Sequence, residues 1–166
     1  MPERSELIDG TIIIPAPQQK WHSYVVTALW LELDRQIPNG FRVQIGMAVE
    51  LGRWQMPVPE LLVVSAAAFH REEPSNYYAE DVSLAIEVVS PDSEERDRDT
   101  KPAKYAKARI PHYWRVERQD AAVVVYAYGL DPASNSYGLV GIFHDRLKVS
   151  VPFPIDIDLT DPGRKL

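Results

Sequence analysis

The sequence predicts a mixed α/β domain, and three observations predict it. Residues 83–89 form a near-continuous apolar run of strand length, which suits a central strand covered on both faces. Before it, Val25, Val26, Leu29 and Leu33 recur at helical spacing over residues 19–36, with Trp30 on the flank. After it, a charged helical stretch gives way to short runs rich in β-branched and aromatic residues separated by turn signals. One helix therefore precedes the central strand and one follows it. A chain of 166 residues with 45% apolar content suits a single domain over 1–166 with one sizeable core.

In chain order, Glu6-Leu-Ile-Asp-Gly10 followed by Thr11-Ile-Ile-Ile14 places an Asp-Gly turn between two short extended pieces, a hairpin signal. The first helix stops at Ile37-Pro-Asn-Gly40. Residues 41–45, 47–51 and 61–64 are strand candidates, and Pro57-Val-Pro59 fixes an extended entry into the third. Beyond the central strand, Pro102 is tolerated only in a first helical turn. Thr100 is therefore expected to cap a helix running to about Arg109, with residues 94–99 as a separate turn. On that helix Lys101, Tyr105 and Ala108 share a face, whereas Lys104 and Lys107 point elsewhere. Ile110-Pro111 ends it; residues 113–116, 121–128 and 137–142 are further strands, and Val151-Pro-Phe-Pro154 reads as a closing segment.

The balance of 18 basic to 24 acidic residues gives a net charge of -6, which argues against broad nonspecific attraction to nucleic acid and leaves room only for local contact. The one basic stretch, Lys101, Lys104, Lys107 and Arg109, either faces phosphates or satisfies a helix dipole. Without cysteine there is no disulfide framework or thiolate metal site, so a cytoplasmic location is expected. No apolar run approaches a membrane span and Met1-Pro-Glu-Arg-Ser-Glu lacks the layout of a signal peptide, so no membrane partner is expected.

Glu87 interrupts the central apolar run, and an ionised carboxylate there loses several kcal/mol of hydration unless a partner compensates. Glu60 opens a neighbouring strand directly after a proline. Two carboxylates on adjacent strands can share a hard divalent cation. Magnesium retains several waters, so Glu60, Glu87 and the Val88 carbonyl would suffice as the protein's share. Lys101 would then add charge for a phosphorane-like state. The alternative is a buried ion pair between Glu87 and Lys101 or an arginine. Taken alone, Glu60 reads as a solvated strand-edge residue, Asp97 among Glu94, Glu95 and Asp99 as part of a solvated turn, and His22 as a polar helix-end group. Tyr105 reads as a core aromatic able to line a site.

The ordered set Ile86-Glu-Val-Val-Ser-Pro91, Asp97, Lys101, Tyr105 and Ile110-Pro-His-Tyr-Trp114 resembles the Uma-type restriction endonucleases, a bacterial family of the PD-(D/E)XK nuclease superfamily. Glu6-Leu-Ile-Asp-Gly10, His22 and Pro59-Glu60-Leu-Leu-Val-Val64 extend the resemblance towards the amino terminus. Three positions depart from the pattern. Pro59-Glu60 stands for Pro-Asp and adds a methylene, His112-Tyr113-Trp114 stands for Glu-Tyr-Trp, and Val89 occupies the place of the superfamily's in-strand lysine. The resemblance implies a restriction-endonuclease-like mixed sheet flanked by helices, with Mg2+ (Mn2+ substituting) on Glu60, Glu87 and Val88. It implies a migrated lysine, Lys101, orienting the attacking water, with His22, Asp97 and Tyr105 as accessory residues. The implied activity is hydrolysis of nucleic-acid phosphodiester bonds, with DNA the expected substrate and a homodimer one possible assembly. A nuclease fold that has lost catalysis and binds nucleic acid or protein is the runner-up. A glycosidase using the two carboxylates is disfavoured because Lys101 would have no role.

Overall fold

The computed structural model describes residues 4–160. A hairpin of β1 (Glu6–Ile8) and β2 (Thr11–Ile13) leads into α1 (Lys20–Gln36), followed by β3 (Phe41–Ile45), β4 (Val49–Glu50), β5 (Leu61–Ser65), α2 (Ala66–Phe69), β6 (Tyr77–Tyr78) and β7 (Val82–Val88). Beyond it come α3 (Lys101–Lys107), β8 (His112–Gln119), β9 (Ala122–Asp131), β10 (Ser136–Phe143), β11 (Arg146–Val149) and β12 (Ile155–Asp158). Six strands form one mixed sheet in the order β10-β9-β8-β7-β5-β3. The β7–β8 pair is parallel, which obliges the chain to cross over through the helical segment between them, and the other pairs are antiparallel.

Why β7 is apolar along nearly its whole length follows from the two layers that cover it. On one face, Val25, Leu29 and Leu33 of α1 pack on Leu61, Val63, Leu84 and Ile86. On the other, Tyr105 of α3 and Ile110 pack on Leu62, Val64, Ala85 and Tyr113. The period-two alternation of strands sends successive side chains into these two cores, so both sets must be apolar. In the first hairpin, Asp9 and Gly10 have φ values of 50° and 77°, the positive values that a two-residue turn matched to strand twist requires. The closing segment is more than the sequence suggests. It is bracketed by the antiparallel pair β11–β12, which adds Leu147, Ile155 and Ile157 to the α1-side core. The expected strand over 47–51 shortens to β4, which pairs in parallel with β6 outside the main sheet. No helix among the described residues is long and apolar enough to cross a membrane.

Helix α3 corrects the expected cap. Thr100 is itself helical (φ -67°, ψ -53°) with no side-chain cap bond, and Arg96–Thr100 form a π-helical turn that runs straight into α3. The Lys101 N–H donates to the Arg96 carbonyl, five residues back. One step further along the same pattern, residue 102 would donate to the Asp97 carbonyl, but Pro102 has no N–H. The Tyr113 hydroxyl of β8 donates to that carbonyl instead, at 2.5 Å. A proline is thus accommodated inside a helical segment because the turn is widened and a strand side chain supplies the missing donor. Tyr113→Phe is expected to orphan this buried carbonyl at a cost of about 1–3 kcal/mol, read as a lower urea midpoint with an unchanged slope.

Candidate active site

The β5–β7 register pairs Leu61 with Ile86, so the next residues towards one end of the sheet are Glu60 and Glu87. Glu60 sits just before β5 and Glu87 one residue before the end of β7. Glu60 Oε2 accepts the Val88 N–H at 3.0 Å, which ties its carboxylate to the end of β7, while its side chain stays one-fifth exposed. Glu87 is fully buried. Its Oε1 accepts the Tyr105 hydroxyl at 2.5 Å and lies 3.1 Å from Lys101 Nζ; its Oε2 is buried without a hydrogen-bond partner.

Lys101 reaches this point from α3, buried to 3% exposure. Its ammonium lies 2.7 Å from Glu6 Oε1, 3.1 Å from Glu87 Oε1 and 3.6 Å from Asp97 Oδ1. Asp97, four residues earlier on the same side of the helical segment, is 1% exposed; its Oδ2 accepts the Ser93 hydroxyl at 2.5 Å and its Oδ1 has no hydrogen-bond partner. From the first turn of α1, His22 Nε2 donates to the Val88 carbonyl at 2.9 Å and lies 3.3 Å from Glu60 Oε1. Because that carbonyl only accepts, the proton belongs on Nε2, and a neutral ring leaves the buried Nδ1 bare.

Three carboxylates therefore contact one lysine, and Glu60 acts on it at longer range. Burial lowers the His22 pKa, so the imidazole adds no charge at neutral pH. Burial raises Glu60 and pushes Glu87 well above the carboxylate range, with the Lys101 charge only partly offsetting it. Asp97 is raised to about 7, by burial first and by the Glu87 charge second. Burial acts to lower Lys101, but Glu87, Asp97, Glu6 and Glu60 outweigh it and hold the lysine above its ordinary value, so it remains an ammonium. A cavity of about 240 Å³ opens onto the cluster, lined by Glu6, His22, Glu60 and Lys101, with Arg4 and Arg96 also on its wall.

A comparison with protein families matches residues 1–160 to the Uma2 model, described as "Putative restriction endonuclease". The chain belongs to the Uma2 family. A crystal structure of "a putative nuclease belonging to DUF820 from Anabaena variabilis ATCC 29413" has the same fold, with a TM-score of 0.75 over 98% of this chain and 90% of that chain at 20% identity. The curated proteins contain no match.

In this Uma2 chain, Glu60, Glu87, Lys101, Asp97, His22, Tyr105 and the Val88 carbonyl all meet at one end of β7. Three of them sit differently from what their local sequence suggests. Asp97 is buried rather than part of a solvated turn, because the π-helical turn directs it inward beside Lys101. His22 is a buried hydrogen-bonding residue and not a polar helix end. Glu60 is held by Val88 and His22 rather than standing free at a strand edge. The basic stretch is not one continuous face, since Lys101 points inward, Lys104 pairs with Asp9 at 2.7 Å and Arg109 donates to Asn135 at 2.6 Å, while Lys107 is exposed. Glu6 is the site residue that the sequence conceals. It shares the inward face of β1 with Ile8, and that alternation is the only local sign of its burial.

Proposed function

We propose that this Uma2 protein is a magnesium-dependent phosphodiesterase acting on the DNA backbone, with Glu60 and Glu87 holding the ion and Lys101 supplying a fixed positive charge. The observation that carries this reading is the pair of neighbouring carboxylates at the end of β7, of which Glu60 lines an open cavity and Glu87 lies buried behind it, with buried oxygens on Glu87 and Asp97 that lack partners. Among the described residues no three His, Asp or Glu side chains form a ready-made metal cage. Magnesium does not need one, since one or two carboxylates plus retained waters satisfy it. The donors are hard oxygens and acids outnumber cations, so the residues fit such an ion. Bound there, magnesium would supply Lewis-acid activation of a water and of the phosphoryl oxygens, and manganese would substitute.

The chain's own residues do the positioning. Tyr105 and Lys101 both hold Glu87 Oε1, which fixes the carboxylate, while its buried Oε2 has no hydrogen-bond partner. The Val88 N–H orients Glu60, and His22 grips the Val88 carbonyl, so the end of β7 is held from two sides. Lys101 cannot serve as a proton acceptor, because the surrounding acids keep it charged. Its contribution is electrostatic, placed for the negative charge that develops as water attacks phosphorus. DNA as the substrate rests on the family's description.

One observation favours a second reading. Lys101 already has three carboxylate partners, an arrangement that also suits a noncatalytic nuclease fold binding nucleic acid or protein. Turnover separates the two. Calorimetric titration of magnesium and manganese into wild type and Glu87→Gln should show binding weakened by about tenfold or more in the variant, alongside nicking of plasmid DNA by wild type alone. Equal metal binding by both proteins removes Glu87 from the ligand set. Metal binding without cleavage of DNA or RNA leaves the noncatalytic reading.

A further inference from the structure

We propose that Glu6 is the positioning residue for Lys101, which makes the amino-terminal hairpin a working part of the site; its catalytic consequence rests on the phosphodiesterase reading. Of the three carboxylates around the ammonium, Glu6 is the nearest, at 2.7 Å against 3.1 Å for Glu87 and 3.6 Å for Asp97. All three have a second partner, Glu6 Oε1 the Val58 N–H, Glu87 Oε1 the Tyr105 hydroxyl and Asp97 Oδ2 the Ser93 hydroxyl, so proximity is what distinguishes Glu6. A lysine on a flexible four-carbon stem is fixed only when held from more than one direction. Glu6 supplies a direction that α3 and β7 do not, because it belongs to β1, a separate two-stranded unit.

Glu6 is itself immobilised. Its Oε1 accepts the Val58 N–H at 2.8 Å and the residue is 5% exposed. The hairpin is fastened by reciprocal backbone bonds between Leu7 and Met56 (3.1 and 2.7 Å) and by the Gly10 N–H to the Trp54 carbonyl (3.0 Å). Asp9 adds its contact with Lys104. With Glu6 neutralised, the ammonium has Glu87 and Asp97 left as partners and is drawn towards the carboxylate proposed to hold the ion. With Glu6 charged, the ammonium is held between β1 and β7. A purely structural pair would stabilise the fold and leave turnover unmoved, whereas a positioning role lowers kcat without weakening substrate binding.

The test uses the full chain and two variants. Glu6→Gln keeps the acceptor for Val58 and removes the charge; Glu6→Asp keeps the charge and shortens the reach. Acylation by acetic anhydride, located by mass spectrometry in metal-free buffer, should proceed about tenfold faster at Lys101 in Glu6→Gln than in wild type. Exposed Lys148 serves as an unchanged internal reference. On plasmid DNA with magnesium, kcat of Glu6→Gln should fall about tenfold or more at constant KM, with partial recovery in Glu6→Asp. Unchanged acylation of Lys101 overturns the proposal, as does faster acylation with kcat intact. An inactive wild type overturns the phosphodiesterase reading, and acylation then decides the Glu6–Lys101 relation alone. If Glu6→Gln does not fold, the comparison of Glu6→Asp with wild type carries the same outcomes at smaller amplitude.

Discussion

Lys101→Met is expected to abolish most DNA cleavage and also to destabilise the fold. Methionine preserves the apolar stem and removes the ammonium, so Glu6, Glu87 and Asp97 lose the cation that lies within 3.6 Å of each of them. Breaking a buried ion pair from one side costs about 3–5 kcal/mol, because the remaining charge stays buried without compensation. For a domain of this size that corresponds to a fall in melting temperature of roughly 10 °C. Turnover should drop by about a hundredfold or more, the usual effect of deleting a preorganised charge at a developing oxyanion. The stability loss should be smaller below neutrality, where the raised Asp97 and Glu87 hold protons, than at pH 8. Lys104→Met is the control. Its ammonium pairs with a two-thirds-exposed Asp9, so little stability is at stake and kcat should hold. A stability cost equal for the two lysines, or turnover reduced alike, would sink the assignment of Lys101. Sequence patterning, which places Lys101 merely beside Tyr105, suggests a substitution that spares the fold; the carboxylates brought in from β1 and the π-helical turn reverse that expectation.

The metal-free protein should lose stability as pH rises through neutrality, and Glu87→Gln should remove much of that loss. Asp97, raised to about 7, together with the raised Glu60 and Glu87, keeps protons in the folded state that the unfolded chain has already released. The folded state then binds more protons than the unfolded one, and stability falls with rising pH from the ordinary carboxylate range upwards. For Asp97 the fall is complete near pH 7, and the raised Glu60 and Glu87 add to it. The Asp97 shift alone sets a ceiling of roughly 4 kcal/mol, at about 1.4 kcal/mol per unit. His22 and His112, lowered by burial, oppose this trend below about pH 6.5, where the unfolded chain takes up their protons. The difference between wild type and Glu87→Gln isolates the acids from the histidines. Calorimetric melting in chelator should therefore show the variant gaining on wild type from pH 5 to pH 8 and melting several degrees higher at pH 8. Added magnesium should raise the wild type at pH 8 and leave the variant nearly unmoved. A variant that melts well below wild type at pH 8 would mean that Glu87 is chiefly the structural counter-ion of Lys101.

What the sequence discloses and what it conceals divides along local against long-range causes. Glu87 is legible because a single charge in a seven-residue strand violates a local pattern, and Lys101 because its spacing to Tyr105 sets a helix face. Glu60 is legible only as the neighbour of Glu87. Asp97 is reached only through the family resemblance, since its neighbours Glu94, Glu95 and Asp99 suggest solvent while its burial depends on a widened turn stabilised by Tyr113, sixteen residues away. His22 depends on the packing of α1 against the end of β7, a contact across 66 positions. Glu6 lies in a strand of three residues, too short for alternation to speak clearly. The strands of the main sheet and its two covering layers follow from periodicity, whereas the expected strand over 47–51 falls outside that sheet and β11 and β12 are masked by the proline-rich stretch between them.

The hairpin of β1 and β2 contributes Glu6 but no strand to the main sheet, so its opening is a smaller event than unfolding. Its backbone bonds to Met56 and Trp54 can break while every ladder of β3 to β10 stays intact, and such sub-global opening has its own, lower free energy. The amides of Leu7, Gly10 and Met56 would then exchange with solvent deuterium as one group, ahead of those in β7. In that opened form the protein is folded by any measure of its sheet, yet the ammonium of Lys101 has lost one of its holders. Deuterium uptake at three backbone positions outside the sheet thus becomes a gauge of how much of the population carries a fully assembled centre, readable with no substrate in the tube.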